Sequence, residues 1–336
     1  MSREQRARID AAMRRPRPEG PRPVEAIRAG FRALMAEMIV PDGIRTTAVV
    51  LGGRPALAVE PLEPAEPLEP AEPVTPSRSG SNAGSNAGTH AGTILYFHGG
   101  SYVFGSPETA LSLTGNLVVR TGFRAFSLDY RLAPEHPFPA AIEDALGAYR
   151  ALLDGGADPA AIVFAGDSAG GGLTVTTCLA ARAAGLPLPA AIVAFSPGLD
   201  ATRTGESMDT KVGIDPFFTR ETLSHTGAMY LAGQDPRQPL LSPALLADPA
   251  GFPPMLLQVG TNEVLLDDST RMAARARAAG VDVILDVTAD VPHVFQCFAG
   301  VLDEADEALD RAALFIAQRL RTQRLRTPDR APVAAG

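Results

Sequence analysis

From about residue 93 onward, short apolar runs alternate with longer stretches of helical periodicity. Thr93–Phe97, Arg124–Tyr130, Ala161–Ala165, Ala190–Phe195, Met255–Val259 and Val281–Val287 are largely apolar, as strands buried on both faces are. Between them Phe138, Ile142, Ala145, Leu146, Tyr149 and Leu153 share one helical face. Leu173–Ala184 and Ser269–Ala279 also read as helices, the second stopping at Gly280. Leu302, Ala305, Leu309, Ala312, Ala313, Ile316 and Leu320 mark a closing helix. The alternation predicts βαβ units, hence an α/β fold with a mostly parallel central sheet flanked by helices.

Before this region the pattern changes. Residues 1–22 are charged and proline-rich and predict little order. Val24, Ile27, Phe31, Leu34, Met35 and Met38 follow helical spacing up to Pro41, giving a wide apolar stripe that needs a surface to cover. Thr46–Leu51 and Ala56–Val59, split by Gly52-Gly53-Arg54-Pro55, read as a hairpin. Leu-Glu-Pro-Ala-Glu-Pro then occurs at 62–67 and again at 68–73, and Ser-Asn-Ala-Gly at 81–84 and 85–88. Neither repeat can pack a core. Residues 60–92 are therefore expected to be a surface insert between two strands, tolerated because loop-closure entropy grows slowly with length. His90, inside it, is expected to be inert. The stretch 199–250 reads as irregular, with Phe217, Phe218, Met229 and Tyr230 among polar residues.

Composition narrows the function classes. With 336 residues, 46% of them hydrophobic, the chain can bury a large core. A net charge of -8 argues against nucleic acid, where a basic face is expected. No run approaches the roughly 18 apolar residues of a membrane span, and Met1–Arg17 lacks the apolar core of a secretory signal. A soluble, cytoplasmic protein is the expectation. Cys178 and Cys297 form neither a disulfide framework nor a metal-ligand cluster, so no metal and no cofactor are expected.

The chemistry is expected where strands end. Ala161–Ala165 runs into Gly166-Asp167-Ser168-Ala169-Gly170 and then a helix, the strand–turn–helix context of a G-x-S-x-G nucleophile elbow. A serine hydroxyl needs a base within about 3 Å, itself oriented by a carboxylate. His225 and His293 are the histidines after Ser168. His293 follows the last strand in a short loop and is assigned as base, while His225 lies in the irregular stretch. The acid is Glu263 or Asp267, both after the strand at 255–259; Asp267 and Asp268 also suit helix capping. Ala169 and the loop His98-Gly99-Gly100-Ser101 offer backbone N–H groups for an oxyanion hole, assigned to Gly99, Gly100, Ser101 and Ala169. His98 reads as a brace for that loop.

His98-Gly99-Gly100, Asp129-Tyr-Arg-Leu-Ala-Pro-Glu-His-Pro137, Gly166-Asp-Ser-Ala-Gly170, Gly260-Thr-Asn-Glu263 and Pro292-His-Val-Phe295 occur in that order. Together they resemble the bacterial hormone-sensitive-lipase-like branch of the α/β-hydrolase family, over roughly residues 24–320. The resemblance implies a serine carboxylesterase with Ser168 as nucleophile, His293 as base and Glu263 as acid. Many relatives have aspartate at the acid position, and a subgroup has glutamate in a similar context. Ser101 replaces the third glycine of the usual His-Gly-Gly-Gly. The resemblance also implies a helical cap. It divides the chain into an N-terminal cap segment (1–40), a first core part (41–198), a second cap segment (199–245), a second core part (246–325) and a tail (326–336). Phe31, Met35, Phe217 and Phe218 then become candidates to line the substrate pocket. The implied substrates are small-molecule esters of short to medium acyl chains, with lactones or N-acetyl compounds as alternatives. Relatives often pair as homodimers through an edge strand. Plant hormone receptors resembling the family have lost the catalytic histidine; here His293 is present, which argues against a non-catalytic receptor.

Overall fold

The computed structural model describes residues 2–14, 23–62 and 92–326, with side chains up to residue 320. Apart from Leu62, the two repeats lie outside the described residues, as do His90 and the tail beyond 326. The strands are β1 (Ile44–Leu51), β2 (Arg54–Pro61), β3 (Thr93–Phe97), β4 (Arg124–Leu128), β5 (Ile162–Asp167), β6 (Ala191–Phe195), β7 (Met255–Asn262) and β8 (Val283–Pro292). Among the described residues they form one sheet in the order β1-β2-β4-β3-β5-β6-β7-β8. The β1–β2 and β2–β4 pairs are antiparallel and the others parallel.

The strand alternation builds two cores. Leu95, Phe97, Phe164, Ala194 and Leu257 face helices α4 (Ala140–Asp154), α5 (Ala169–Ala183) and α9 (Leu266–Ala278). Ile94, Tyr96, Val163, Ala165, Val193 and Leu256 face α3 (Leu111–Thr121) and α10 (Asp303–Arg326) on the other side. Both faces being covered explains why β3, β5 and β6 read as unbroken apolar runs.

Three segments depart from the sequence expectations. Helix α3 was not anticipated: Gly115, Asn116 and Thr114 blur its pattern, yet Leu113 and Leu117 are buried and Gly122 ends it in a left-handed conformation, φ 69°. The charged N-terminus is not mostly unordered. Ser2–Met13 forms α1, burying Ile9 and Met13 beside Val291, Phe295 and Leu302. The irregular stretch contains α6 (Ser207–Thr210), α7 (Arg220–Leu231) and α8 (Pro243–Leu246). A capping box between Thr219 and Thr222 starts α7.

The amphipathic segment after Pro23 forms α2 (Val24–Met35), shorter than its apolar stripe. Val24, Ile27 and Phe31 pack on one core and Met35 and Met38 on the other. Arg28 fastens this helix: its guanidinium donates to the Val103 carbonyl at 2.9 Å and to the Glu135 carboxylate at 2.7 and 2.8 Å. In the β1–β2 hairpin, Gly52 (φ 59°) and Gly53 (φ 77°) both sit where the turn needs positive φ.

Candidate active site

Ser168 stands between the last residue of β5 and the first of α5, with φ 52° and ψ −117°. A non-glycine residue in such a sparsely populated region costs about 1–3 kcal/mol and persists only where the surroundings enforce it. They do so here. The Ser168 N–H donates to Phe195 of β6 at 2.8 Å, and its carbonyl accepts from Gly172 at 3.0 Å and Gly198 at 2.9 Å. The flanking glycines are a steric need. A Cβ on Gly170 would lie 1.9 Å from the Phe97 carbonyl oxygen, and one on Gly166 would lie 2.5 Å from that of Gly170.

His293 follows β8 directly and is buried. Its Nδ1 lies 2.6 Å from Oε2 of Glu263. Burial alone would lower the imidazole pKa, but the facing Glu263 carboxylate, with Asp215 and Asp167, outweighs it and holds the pKa above the ordinary value. Nε2 has no hydrogen-bond partner among the described residues, and His293 shares a cavity with Ser168. Glu263 is fully buried at the end of β7, and its other oxygen, Oε1, accepts from the Gly260 N–H at 2.7 Å and the Ser196 hydroxyl at 2.8 Å.

The other acid and base candidates are occupied elsewhere. Asp267 accepts from the Ser207 N–H at 2.9 Å, while Asp268 accepts from the N–H groups of Leu199 and Asp200 at 2.6 and 2.9 Å. Both carboxylates tie the segment after β6 to α9. His225 is exposed on α7.

The glycine loop corrects one expectation. The Gly99 N–H donates to Oδ1 of Asp167 at 3.0 Å, so it is turned to a carboxylate and is not an oxyanion donor. Gly100 and Ser101 follow with φ 124° and 54°, and a Cβ on Gly100 would lie 1.9 Å from the Phe104 carbonyl oxygen. Ala169 begins α5, where the first N–H groups lack intrahelical acceptors. His98 is buried; its ring stacks on Tyr130 at 4.2 Å and its Nδ1 lies 2.7 Å from the Gly99 carbonyl. Burial lowers its pKa to about 4, so it is a neutral brace.

Sequence reasoning missed Asp167 and Ser196. Asp167 also accepts from Tyr96 Oη at 2.8 Å, and burial, opposed by Tyr96 and the Gly99 N–H, raises its pKa to about 6. Ser196 directly follows β6 at φ 45°, accepting the Val294 N–H at 3.0 Å while donating to Glu263. The signal for both was available: each is a polar residue at the C-terminal end of an apolar strand. Asp215 was also unmarked. Its carboxylate accepts from Phe217, Phe218 and Val264 at 2.7, 2.9 and 2.8 Å, which joins the aromatic pair to the residue after Glu263.

Ser168 borders two cavities of different character. The smaller, about 50 Å³, brings Phe31, Met35, Phe217 and Phe218 together with His293. The Phe218 ring stands edge-on to the imidazole at 5.0 Å. The larger, about 340 Å³, is lined by Thr202, Arg203, Ser224, Tyr230 and Leu231 among others. Among the described residues, no group of three or more His, Cys, Asp or Glu is placed to hold a metal ion. No described helix is long and apolar enough to cross a membrane.

A strained serine between strand and helix, beside a buried histidine–carboxylate pair, defines the class of serine hydrolases built on a parallel sheet. The profile of a family described as having the alpha/beta hydrolase fold matches residues 94–297. An acetyl-hydrolase of Streptomyces hygroscopicus is 43% identical over 224 residues, 67% of this chain and 75% of its own. An esterase of Acinetobacter venetianus is 37% identical over 223 residues, 66% of this chain and 73% of its own. The crystal structure of an esterase from the bacterial hormone-sensitive lipase family superposes with a TM-score of 0.84 at 38% identity, over 94% of this chain and 98% of that one. A hormone-sensitive lipase from a metagenome library gives 0.83 at 38% identity, over 95% and 98%. The chain belongs to the α/β-hydrolase family, in the branch of bacterial hormone-sensitive-lipase-like esterases. It is a serine carboxylesterase.

Proposed function

We propose that this protein hydrolyses carboxylic esters of short to medium acyl chains through an acyl-enzyme on Ser168, with His293 as base and Glu263 as acid. Ser168 Oγ attacks the ester carbonyl carbon while His293 Nε2 takes its proton. Glu263 holds the ring by Nδ1 and favours the imidazolium that forms. The N–H groups of Gly100, Ser101 and Ala169 receive the oxyanion. His293 then protonates the departing alkoxide, and a water repeats the sequence to release the acid and restore the hydroxyl.

The observation that carries this reading is the 2.6 Å contact of Glu263 with Nδ1, with Nε2 unpartnered in the cavity that Ser168 borders. The pairing fixes which nitrogen is free to accept a proton. The test is turnover of ethyl esters from acetate to decanoate, followed by acid release, by the protein and by Ser168→Ala. Activity should concentrate at the short to medium lengths and disappear in the variant. Full activity in Ser168→Ala would refute the nucleophile.

A further inference from the structure

The two cavities at Ser168 are not equivalent, and their difference bears on the substrate. The leaving group must face His293, because Nε2 returns a proton to it. His293 lines the small apolar cavity and not the large one, so the alcohol portion belongs in the former and the acyl chain in the latter. At about 50 Å³ against about 340 Å³, the alcohol side is the more confined of the two, so it suits the smaller portion of the ester.

The acyl side, by contrast, is lined by three charged residues, Asp200, Arg203 and Arg220. Arg203 lines the larger cavity, half-buried, on a loop that the structure holds in place. Its backbone is left-handed, φ 55°, a cost that needs support. That support is present: the Arg203 carbonyl accepts from the Arg220 guanidinium at 2.9 Å, and Asp200 fixes the turn by accepting from the Thr202 and Thr204 N–H groups at 2.8 and 3.1 Å. The neighbouring charges are matched. Asp200 pairs with Arg271 at 3.3 Å, and Arg220 pairs with Asp209 at 2.7 Å. Asp268 lies within Coulombic reach of Arg203, and its Oδ2 accepts from both the Leu199 and the Asp200 N–H groups. Among the described residues no salt bridge is formed by the Arg203 guanidinium. Arg203 lines the binding cavity, and a guanidinium without a salt-bridge partner suits a planar oxyanion, which it can meet with two parallel N–H groups.

We propose that the protein acts on esters whose acyl chain ends in a carboxylate, that is, half-esters of linear dicarboxylic acids with a small alcohol, and that Arg203 binds the distal carboxylate. This rests on the Ser168 reading. The bond between acyl carbon and alkoxy oxygen breaks; water supplies the hydroxyl to the acyl carbon and the proton to the alkoxide. The products are the alcohol and a new carboxylic acid, which ionises with release of one proton to leave a dicarboxylate, the distal carboxylate being unchanged throughout.

The experiment compares kcat/KM for monoethyl succinate, glutarate, adipate and suberate with that for ethyl alkanoates of matched chain length, in the wild type, Arg203→Met and Arg203→Lys. A charged hydrogen bond of this kind corresponds to about tenfold to a hundredfold. At one or more lengths the ratio of half-ester to neutral-ester kcat/KM should fall by that factor in Arg203→Met; Arg203→Lys should keep part of the preference. In the wild type, rising ionic strength should lower half-ester turnover and leave neutral-ester turnover flat, a readout that needs no variant. Equal losses on both substrates at every length, or a wild type that ignores half-esters while hydrolysing neutral ones, would overturn the proposal with the triad intact. Turnover of both substrates undiminished in Ser168→Ala would instead remove the reading beneath it.

Discussion

The hydroxyl of Ser196 donates to Oε1 of Glu263 at 2.8 Å and in the same position accepts the N–H of Val294, the residue after His293. One side chain at the end of β6 thus ties the loop that carries the carboxylate to the loop that carries the imidazole. Ser196→Ala should lower kcat by about tenfold to a hundredfold, the size of a hydrogen bond to a charged group, and leave KM within about twofold. Its kcat–pH profile should shift as well, because the Glu263 carboxylate that holds the His293 pKa up loses one of its anchors. Wild-type kcat and pH profile in the variant would make Ser196 a packing residue only.

Removing the Glu263 charge has a predictable sign. The carboxylate is what raises the His293 pKa against burial. Glu263→Gln should therefore move the acid limb of kcat/KM to lower pH, since the imidazole stays neutral further down. The maximal rate should fall by about 10³–10⁴-fold, because the tautomer and the stabilised imidazolium are lost together. An acid limb that moves to higher pH would contradict the assignment.

Asp167 predicts a stability effect in the opposite sense to most carboxylates. Its pKa is raised to about 6 by burial, so the unfolded chain ionises first as pH climbs and the fold loses stability between about pH 4 and 6. A rise of that size from the ordinary value is worth roughly 3 kcal/mol. Asp167→Asn keeps an acceptor for Tyr96 and Gly99 and cannot ionise. Its stability relative to wild type, from urea unfolding, should therefore increase across that window and level off above it. A constant difference between pH 4 and 7 would refute the assignment.

The close approach of β3 and α5 should tolerate no side chain. In Gly170→Ala the new Cβ would lie 1.9 Å from the Phe97 carbonyl oxygen, in backbone that cannot move without the sheet. A loss of about 3 kcal/mol or more is expected, seen as low soluble yield or a lowered Tm. A wild-type Tm would show that the elbow relaxes more easily than its geometry implies.

How far each feature could be read from residues alone follows from how local its causes are. The parallel sheet was legible because strands covered on both faces must be apolar throughout, as in Thr93–Phe97 and Ala191–Phe195. The elbow was legible because Gly166, Ser168 and Gly170 are contiguous and the turn dictates them. Helix α1 was not: it buries only Ile9 and Met13, and contacts with residues nearly three hundred positions away, such as Arg6 with Asp290 at 3.4 Å, complete it. Helix α3 was hidden for a similar reason: Gly115 packs against Pro41 and Ile44, and Ser112 donates to the Ile39 carbonyl at 2.7 Å, contacts that no local pattern announces.

The chain by itself determined which residue types were available: one serine in a glycine turn, two later histidines and three carboxylates. Tertiary structure decided among them. Glu263 reaches His293 because β7 and β8 are neighbours and the Gly260 N–H and Ser196 hydroxyl turn its carboxylate, while Asp267 and Asp268 are spent on the segment after β6. Gly99 looked equal to Gly100 in sequence, and only Asp167 across the β3–β5 pair shows where its N–H goes. Local order is set by neighbours along the chain; the direction of a hydrogen bond is set by whatever the fold brings within 3 Å of it.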